Sequence, residues 1–243
     1  MTNTNNQTTE TNIIVSDIPV LVVQKSIKHL NLGVYPPDGR VRVAAPLHFT
    51  ADNIRLAVVS KLSWIKKQQA KFQAQPRQSK REMVSGETHY IFGRPYQLEV
   101  IERCGSDEIM LTNNHILQLF IKPGTSTEKR AKVLNEWYRH QLKSRVPELL
   151  NKWQEIIGEE VNDWGIKKMK TKWGSCNITK RRIWLNLELA KKPIECLEYV
   201  LVHELVHLLE RYHNQRFIAY MDRYLPQWQK CRDILNSEPL GEL

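Results

Sequence analysis

Residues 203–213 read His-Glu-Leu-Val-His-Leu-Leu-Glu-Arg-Tyr-His. On a helix His203 and His207 stand one turn apart on the same face, so their imidazoles can converge on one ion, and two such imidazoles suit zinc. Glu204 stands beside them, placed to take a proton from water that the ion activates. Zinc lowers the pKa of a bound water to about 7, which makes a nucleophile available at neutral pH. The spacing therefore points to metal-assisted hydrolysis, with His203 and His207 as ligands, Glu204 as general base and one catalytic Zn2+.

Leu201, Val202, Leu205, Val206, Leu208 and Leu209 surround these polar positions, so the segment reads as a buried helix. Two histidines and a glutamate inside an apolar helix are costly unless paired or bound to metal. His213 is the expected third ligand. A straight helix would carry it about 9 Å along the axis from His207, so the chain has to bend after His207. Asn214 in a left-handed conformation is the expected device. Asp222, on the following helix, is the other conceivable ligand. Glu210 lies too far along the helix to join both histidines and is expected to support the site instead.

The elements that must position this helix can be read upstream. Pro193 is expected at its first helical position, with the apolar pattern starting at Ile194. Thr171–Asn177 and Arg182–Asn186 read as two short strands joined by a turn over 177–180. Strands are expected near 20–26, 40–45, 88–92, 96–102, 108–112 and 115–121, the last two joined through Asn113-Asn114. A helix capped by Thr50 should run through Trp64 toward Phe72. After Pro123-Gly124, Ser126 or Thr127 should cap a long helix with Trp137 and Leu142 on its apolar face and a kink at Pro147. That helix should pack beside the one carrying His203. No internal repeat is visible, and the expected division is a polar, disordered tail at 1–12, a β-rich half at 13–124 and a catalytic half at 125–236.

Trp-Gly-Ser-Cys at 173–176, Ile-Trp-Leu-Asn-Leu-Glu-Leu at 183–189, Tyr-Val-Leu-Val-His-Glu-Leu-Val-His-Leu at 199–208 and Tyr-His-Asn-Gln-Arg-Phe at 212–217 together resemble the YgjP-like metallopeptidase family, related to the SprT and WLM zinc proteases. The resemblance spans residues 20 to 230. It implies an α+β fold, a zincin-like metallopeptidase domain with an N-terminal β-rich subdomain. It also implies His203, His207 and His213 as ligands and Glu204 as base. It leaves the substrate open between a protein or peptide and a nucleoside triphosphate, because a nucleotide pyrophosphatase activity is also attributed to the group. Zincins hold an extended peptide against a sheet edge, and the strand near Trp173 offers one. Packing of Trp173 and Trp184 in the core is the competing reading. Lys170, Lys172 and Arg182 are candidate contacts to substrate phosphate or carboxylate. Tyr212, Arg216, Tyr220 and Tyr224 lie near enough in sequence for one of them to steady an oxyanion.

A formal charge of +10 makes non-specific nucleic-acid association, through Lys66–Arg81, Lys167–Lys172 and Lys180–Arg182, a further expectation. The third reading is non-enzymatic, either a structural zinc or a nucleic-acid-associated module with a relict site, and a structural zinc is disfavoured because such sites use four protein ligands, most often with cysteines. Cys104, Cys176, Cys196 and Cys231 lack metal or disulfide spacing, and the tail lacks a signal-peptide pattern. No segment is long enough to span a membrane. Together these give the expectation of a cytoplasmic protein with reduced thiols.

Overall fold

Ile-Pro-Val-Leu-Val-Val at 18–23 and Val-Arg-Val-Ala-Ala at 41–45 put alternate side chains on one face, and Val20, Val43 and Ala45 are fully buried there. The computed structural model describes residues 8–35, 38–74 and 81–237. These fall into two compact units, one up to residue 77 and the other from 78 to 242.

In the first unit, strands β1 (Thr9–Val15), β2 (Ile18–Lys25), β3 (Asn31–Tyr35) and β4 (Arg40–Pro46) form a sheet of order β1-β2-β4-β3. β2 and β4 are parallel, and each carries an antiparallel partner outside it. Helices α1 (Ala51–Val59) and α2 (Leu62–Ala74) follow. Ile54, Val58 and Ile65 join Val20, Val22, Val41 and Val43 in a core of their own. Thr50 and Asn53 form a reciprocal capping box on α1. The single helix expected from Thr50 to Phe72 is thus two helices, parted at Ser60-Lys61. The expected tail also differs: β1 starts at Thr9, held in register against β2 although most of its side chains are exposed. Residues 1–7 lie outside the described residues.

The second unit begins with the same topology. Strands β5 (Thr88–Ile91), β6 (Arg94–Glu102), β7 (Glu108–Leu111) and β8 (Ile116–Ile121) form a sheet of order β5-β6-β8-β7, again with a parallel central pair and antiparallel flanks. The hairpin turns correspond as well: Ser16 and Asp17 in one, Phe92 and Gly93 in the other, all with positive φ. The repeat is one of topology, which is why no repeated sequence was visible.

Helix α3 (Thr127–Ile157) runs unbroken through Pro147. Ser126 caps it by accepting from the Lys129 N–H, and Gly158, at φ 78°, ends it. Its buried stripe, Leu134, Tyr138, Leu142, Val146, Leu150 and Trp153, meets residues of β5–β8 and of the later helices in one core. The sheet at 88–121 therefore packs with the C-terminal elements, and the unit boundary lies well before the expected division at 124. A second sheet of order β10-β11-β9 is built from β9 (Asp163–Lys167), β10 (Gly174–Asn177) and β11 (Arg182–Asn186). A 3₁₀ turn at Leu187–Lys191 leads into α4 (Ile194–Val206), then α5 (Gln215–Tyr224) and α6 (Trp228–Ser237). Pro193 is the N-cap of α4, one residue before the expected position. Among the described residues no helix is long and apolar enough to cross a membrane.

Candidate active site

α4 is apolar on nearly every side, and Leu201, Val202, Leu205 and Val206 are fully buried, so the helix is locked between α3, the second sheet and α6. It ends at Val206, with His207 as C-cap in ordinary right-handed geometry. The Leu208 N–H then donates to the Leu205 carbonyl, and the Leu209 and Glu210 N–H groups to that of Val206, closing a tight turn. Asn214, at φ −92° and ψ −174°, is extended and caps α5, its side chain accepting from the Phe217 N–H. The bend expected after His207 is present, but helix termination makes it. A left-handed Asn214 does not.

This turn brings His213 back to the helix. Ligand-capable atoms of His203, His207 and His213 all lie within 4.8 Å of one another. Nε2 of His213 is 3.0 Å from Nε2 of His203. Two ligands of one tetrahedral zinc ion at about 2.1 Å each stand roughly 3.4 Å apart, close to this spacing. Nδ1 of His207 lies 3.1 Å from the Glu210 carbonyl oxygen, a contact that assigns the ring proton to Nδ1 and leaves Nε2 as a donor for metal. Glu210 thus supports the site through its backbone, while its carboxylate accepts from the Tyr212 N–H and faces Arg216. Nδ1 of His203 is buried with no hydrogen-bond partner among the described residues. Nε2 of His203 and Nε2 of His213 face each other with His207 beside them, a set of three imidazole donors that fits a divalent metal.

The Phe217 ring backs the triad, its centroid 4.8 Å from that of each histidine. Burial pushes His203 down to about 3, with His207 and His213 acting in the same sense. Burial lowers His207 as well. Both rings are therefore neutral at pH 7, the state a metal ligand requires. Asp222 is outside the cluster and accepts from Trp228 Nε1 and Gln229 Nε2.

Glu204 is 5% exposed, and burial pushes its carboxyl up to about 8 against the opposing pull of the Lys172 ammonium and the Cys176 N–H. β10 runs alongside it. A Cβ on Gly174 would stand 2.5 Å from Glu204 Oε1 and 2.8 Å from Val200 Cγ1, so only glycine allows strand and helix to approach this closely. Among the described residues β10 pairs with β11 alone and is an edge strand. The Asn186 N–H donates to the Trp173 carbonyl, which sets the alternation: Ser175 and Asn177 bond toward β11, while Gly174 and Cys176 turn their backbone groups to the other edge, where the Cys176 N–H donates to Glu204.

A cleft of about 1290 Å³ lies between this edge and the triad, lined by Lys172–Lys180, Arg182, Trp184, Tyr199, His203, Glu204, His207 and His213 among others. Three of the four residues expected to contact substrate line it, and Lys170 does not. Arg182 is paired with Asp163 at 2.7 Å. Trp173 is half-buried and donates its indole N–H to the Leu235 carbonyl, so it also ties α6 to the site. Tyr212, Arg216, Tyr220 and Tyr224 are not among the lining residues. Tyr199 is, and its ring stands edge-on to His203 at 5.9 Å. Sequence reasoning passed over Gly174, Tyr199 and Phe217. A glycine inside a strand was the signal for the first, and a tyrosine one turn before His203 for the second.

Residues 28–238 match the YgjP-like metallopeptidase domain. The chain belongs to the YgjP-like metallopeptidase family. This YgjP-like protein is thereby a hydrolase of metallopeptidase type, with the α+β architecture described above. It is 35% identical to the uncharacterized protein aq_aa15 of Aquifex aeolicus (strain VF5) over 98 residues, covering 37% of this chain and 89% of that one. The crystallised zymogens of two metallopeptidases are also similar: Pyrococcus abyssi abylysin and Methanocaldococcus jannaschii jannalysin, with 23% and 22% identity and TM-scores of 0.35 and 0.33. Those matches cover 37% of this chain and 90% and 92% of theirs.

Proposed function

We propose that the YgjP-like protein is a zinc-dependent endopeptidase in which His203, His207 and His213 hold one zinc ion and Glu204 is the general base. The observation that carries this reading is the convergence of three imidazoles beside a buried carboxylate in a cleft walled by a free strand edge. Zinc, when bound, supplies a Lewis acid and makes nearby water more acidic. The protein does the rest. Backbone groups of Gly174 and the Cys176 carbonyl on the β10 edge pair with an extended substrate and hold its scissile carbonyl over the triad. A Glu204 carboxylate oxygen takes the proton of the attacking water and delivers it to the departing amine nitrogen. The Cys176 N–H holds that carboxylate in place. The Tyr199 hydroxyl is the candidate donor to the developing oxyanion.

The nucleotide pyrophosphatase reading uses the same site and is favoured by one observation, the lysines and arginines that line the cleft. The free edge of β10 favours the peptide, since a nucleotide has no use for it. One basic cluster invoked for nucleic acid, Lys180–Arg182, is partly neutralised, with Arg181 on Glu159 at 2.6 Å and Arg182 on Asp163 at 2.7 Å. The test is to offer zinc-loaded protein an unfolded polypeptide and a nucleoside triphosphate panel. Peptide cleavage that disappears in Glu204→Gln supports the peptidase. Pyrophosphate release that disappears in the same variant replaces it with the nucleotide reading.

A further inference from the structure

Charge on the cleft wall is one-sided. Among the lining residues Glu204 is the single acid, whereas Lys172, Lys180, Arg182, Arg211 and Arg232 are all basic. Arg182 has Asp163 as partner and Arg232 has Asp233. Lys172, Lys180 and Arg211 are exposed, and among the described residues none of them stands within 4.0 Å of a carboxylate oxygen. Glu204 feels one of them directly, since the Lys172 charge opposes the effect of burial on its carboxyl.

The cations are also spaced. Lys172 precedes β10, Lys180 stands in the turn that follows it, and Arg211 lies in the turn between His207 and His213. Four residues of strand span about 13 Å, so Lys172 and Lys180 bracket the free edge. Backbone groups on that edge fix an extended chain but carry no sequence preference, which must come from the flanking side chains.

Resting on the peptidase reading, we propose that this cleft selects acidic segments of polypeptide, with Asp or Glu residues on either side of the scissile bond paired to Lys172 at one end of β10 and to Lys180 and Arg211 at the other. A nucleoside triphosphate concentrates its charge at one place, whereas these cations are distributed along a strand edge with Trp173, Ile178 and Leu208 among them, as an extended peptide requires. Pairing at a cleft rim acts on encounter and on choice between partners more than on tightness, and it is screened by salt. A basic or neutral segment would leave three like charges uncompensated along the wall.

The experiment compares short peptides with one shared apolar centre and flanks of Glu, Gln or Lys. For zinc-loaded protein, kcat/KM for the Glu-flanked peptide is expected to exceed that of the Gln-flanked one by about tenfold at low salt. The margin should shrink at roughly 0.5 M salt, where the Debye length is about 4 Å. Lys180→Ala with Arg211→Ala should remove the margin, bringing kcat/KM for the Glu-flanked peptide down to that of the Gln-flanked one. Lys180→Glu with Arg211→Glu should turn the preference toward Lys flanks. Equal rates for Glu and Gln flanks, or a preference indifferent to these substitutions, overturn the proposal and leave the peptidase standing. In parallel, anisotropy of labelled peptides on zinc-loaded Glu204→Gln reads binding without turnover. Charge-selective binding with no cleavage by wild type would sink the peptidase reading and keep the acidic preference. Equal binding of all three peptides, or tighter binding of a single-stranded oligonucleotide than of the Glu-flanked peptide, would overturn the preference.

Discussion

A methyl group on Gly174 would stand 2.5 Å from Oε1 of Glu204, closer than carbon and oxygen can approach. The strand edge proposed to hold substrate and the proposed base are thus positioned by mutual contact. Gly174→Ala must push β10 and α4 apart or turn Glu204 aside. Overpacking of this kind costs about 1–3 kcal/mol of stability. A displacement of 1 Å at the chemistry is expected to lower kcat/KM by about 100-fold. Urea unfolding and peptide kinetics on the same sample check both numbers, and a variant with wild-type activity would remove Gly174 from the account.

Phe217 gives a second prediction. Its ring is 3% exposed and touches all three histidines. Phe217→Ala should cost about 3–5 kcal/mol through the cavity it leaves. Zinc affinity should fall by about 10–100-fold, because the rings lose the surface that orients them. Competition with a chromogenic chelator measures the second effect, and Phe217→Leu should show little of it.

Asn186 is fully buried and satisfies four backbone groups. Nδ2 donates to the carbonyls of Met169 and Lys172, and Oδ1 accepts from the N–H groups of Met169 and Glu188. It thereby fixes the segment that delivers Lys172 and Trp173 to the cleft. Asn186→Ala should destabilise the protein by roughly 3–5 kcal/mol, near the upper end for one substitution. Asn186→Asp keeps the acceptors and should cost less, with kcat/KM still reduced because the Lys172 carbonyl is no longer tethered.

Acid stability should depend on His89. This ring is 1% exposed, and burial with help from Arg81 holds it down to about 4, against the upward pull of Glu87. Between about pH 6.5 and 4 the unfolded chain takes up a proton that the folded ring refuses. Stability is therefore complete above pH 6.5 and falls as pH drops, by up to ~3 kcal/mol from this group. His89→Gln should flatten the urea midpoint between pH 7 and 4.5 relative to wild type.

The histidines and Glu204 were legible because their chemistry is bound to local spacing, and α4 because an apolar run surrounds them. Strands β5 to β8 and the Ser126 cap of α3 were legible for the same reason, since alternation and caps are local signals. β1 was not, because Thr-Glu-Thr-Asn is polar and only pairing with β2 makes it a strand. The break at Ser60 lacks a Gly or Pro to announce it. The boundary between units was misplaced because β5–β8 bury their faces against α3, a long-range choice that periodicity does not encode. The bend after His207 was expected from the need to return His213, but its means depended on where α4 stops.

In the proposed reaction one zinc ion on the triad and the Glu204 carboxylate act together on a peptide bond. The most direct measurement is the zinc content of wild type, Glu204→Gln and His207→Ala, with cleavage of an unfolded polypeptide by each. One zinc per chain in wild type and Glu204→Gln, with cleavage in wild type alone and neither property in His207→Ala, is the expected result. Cleavage that survives in Glu204→Gln, or zinc that is retained in full by His207→Ala, would contradict it.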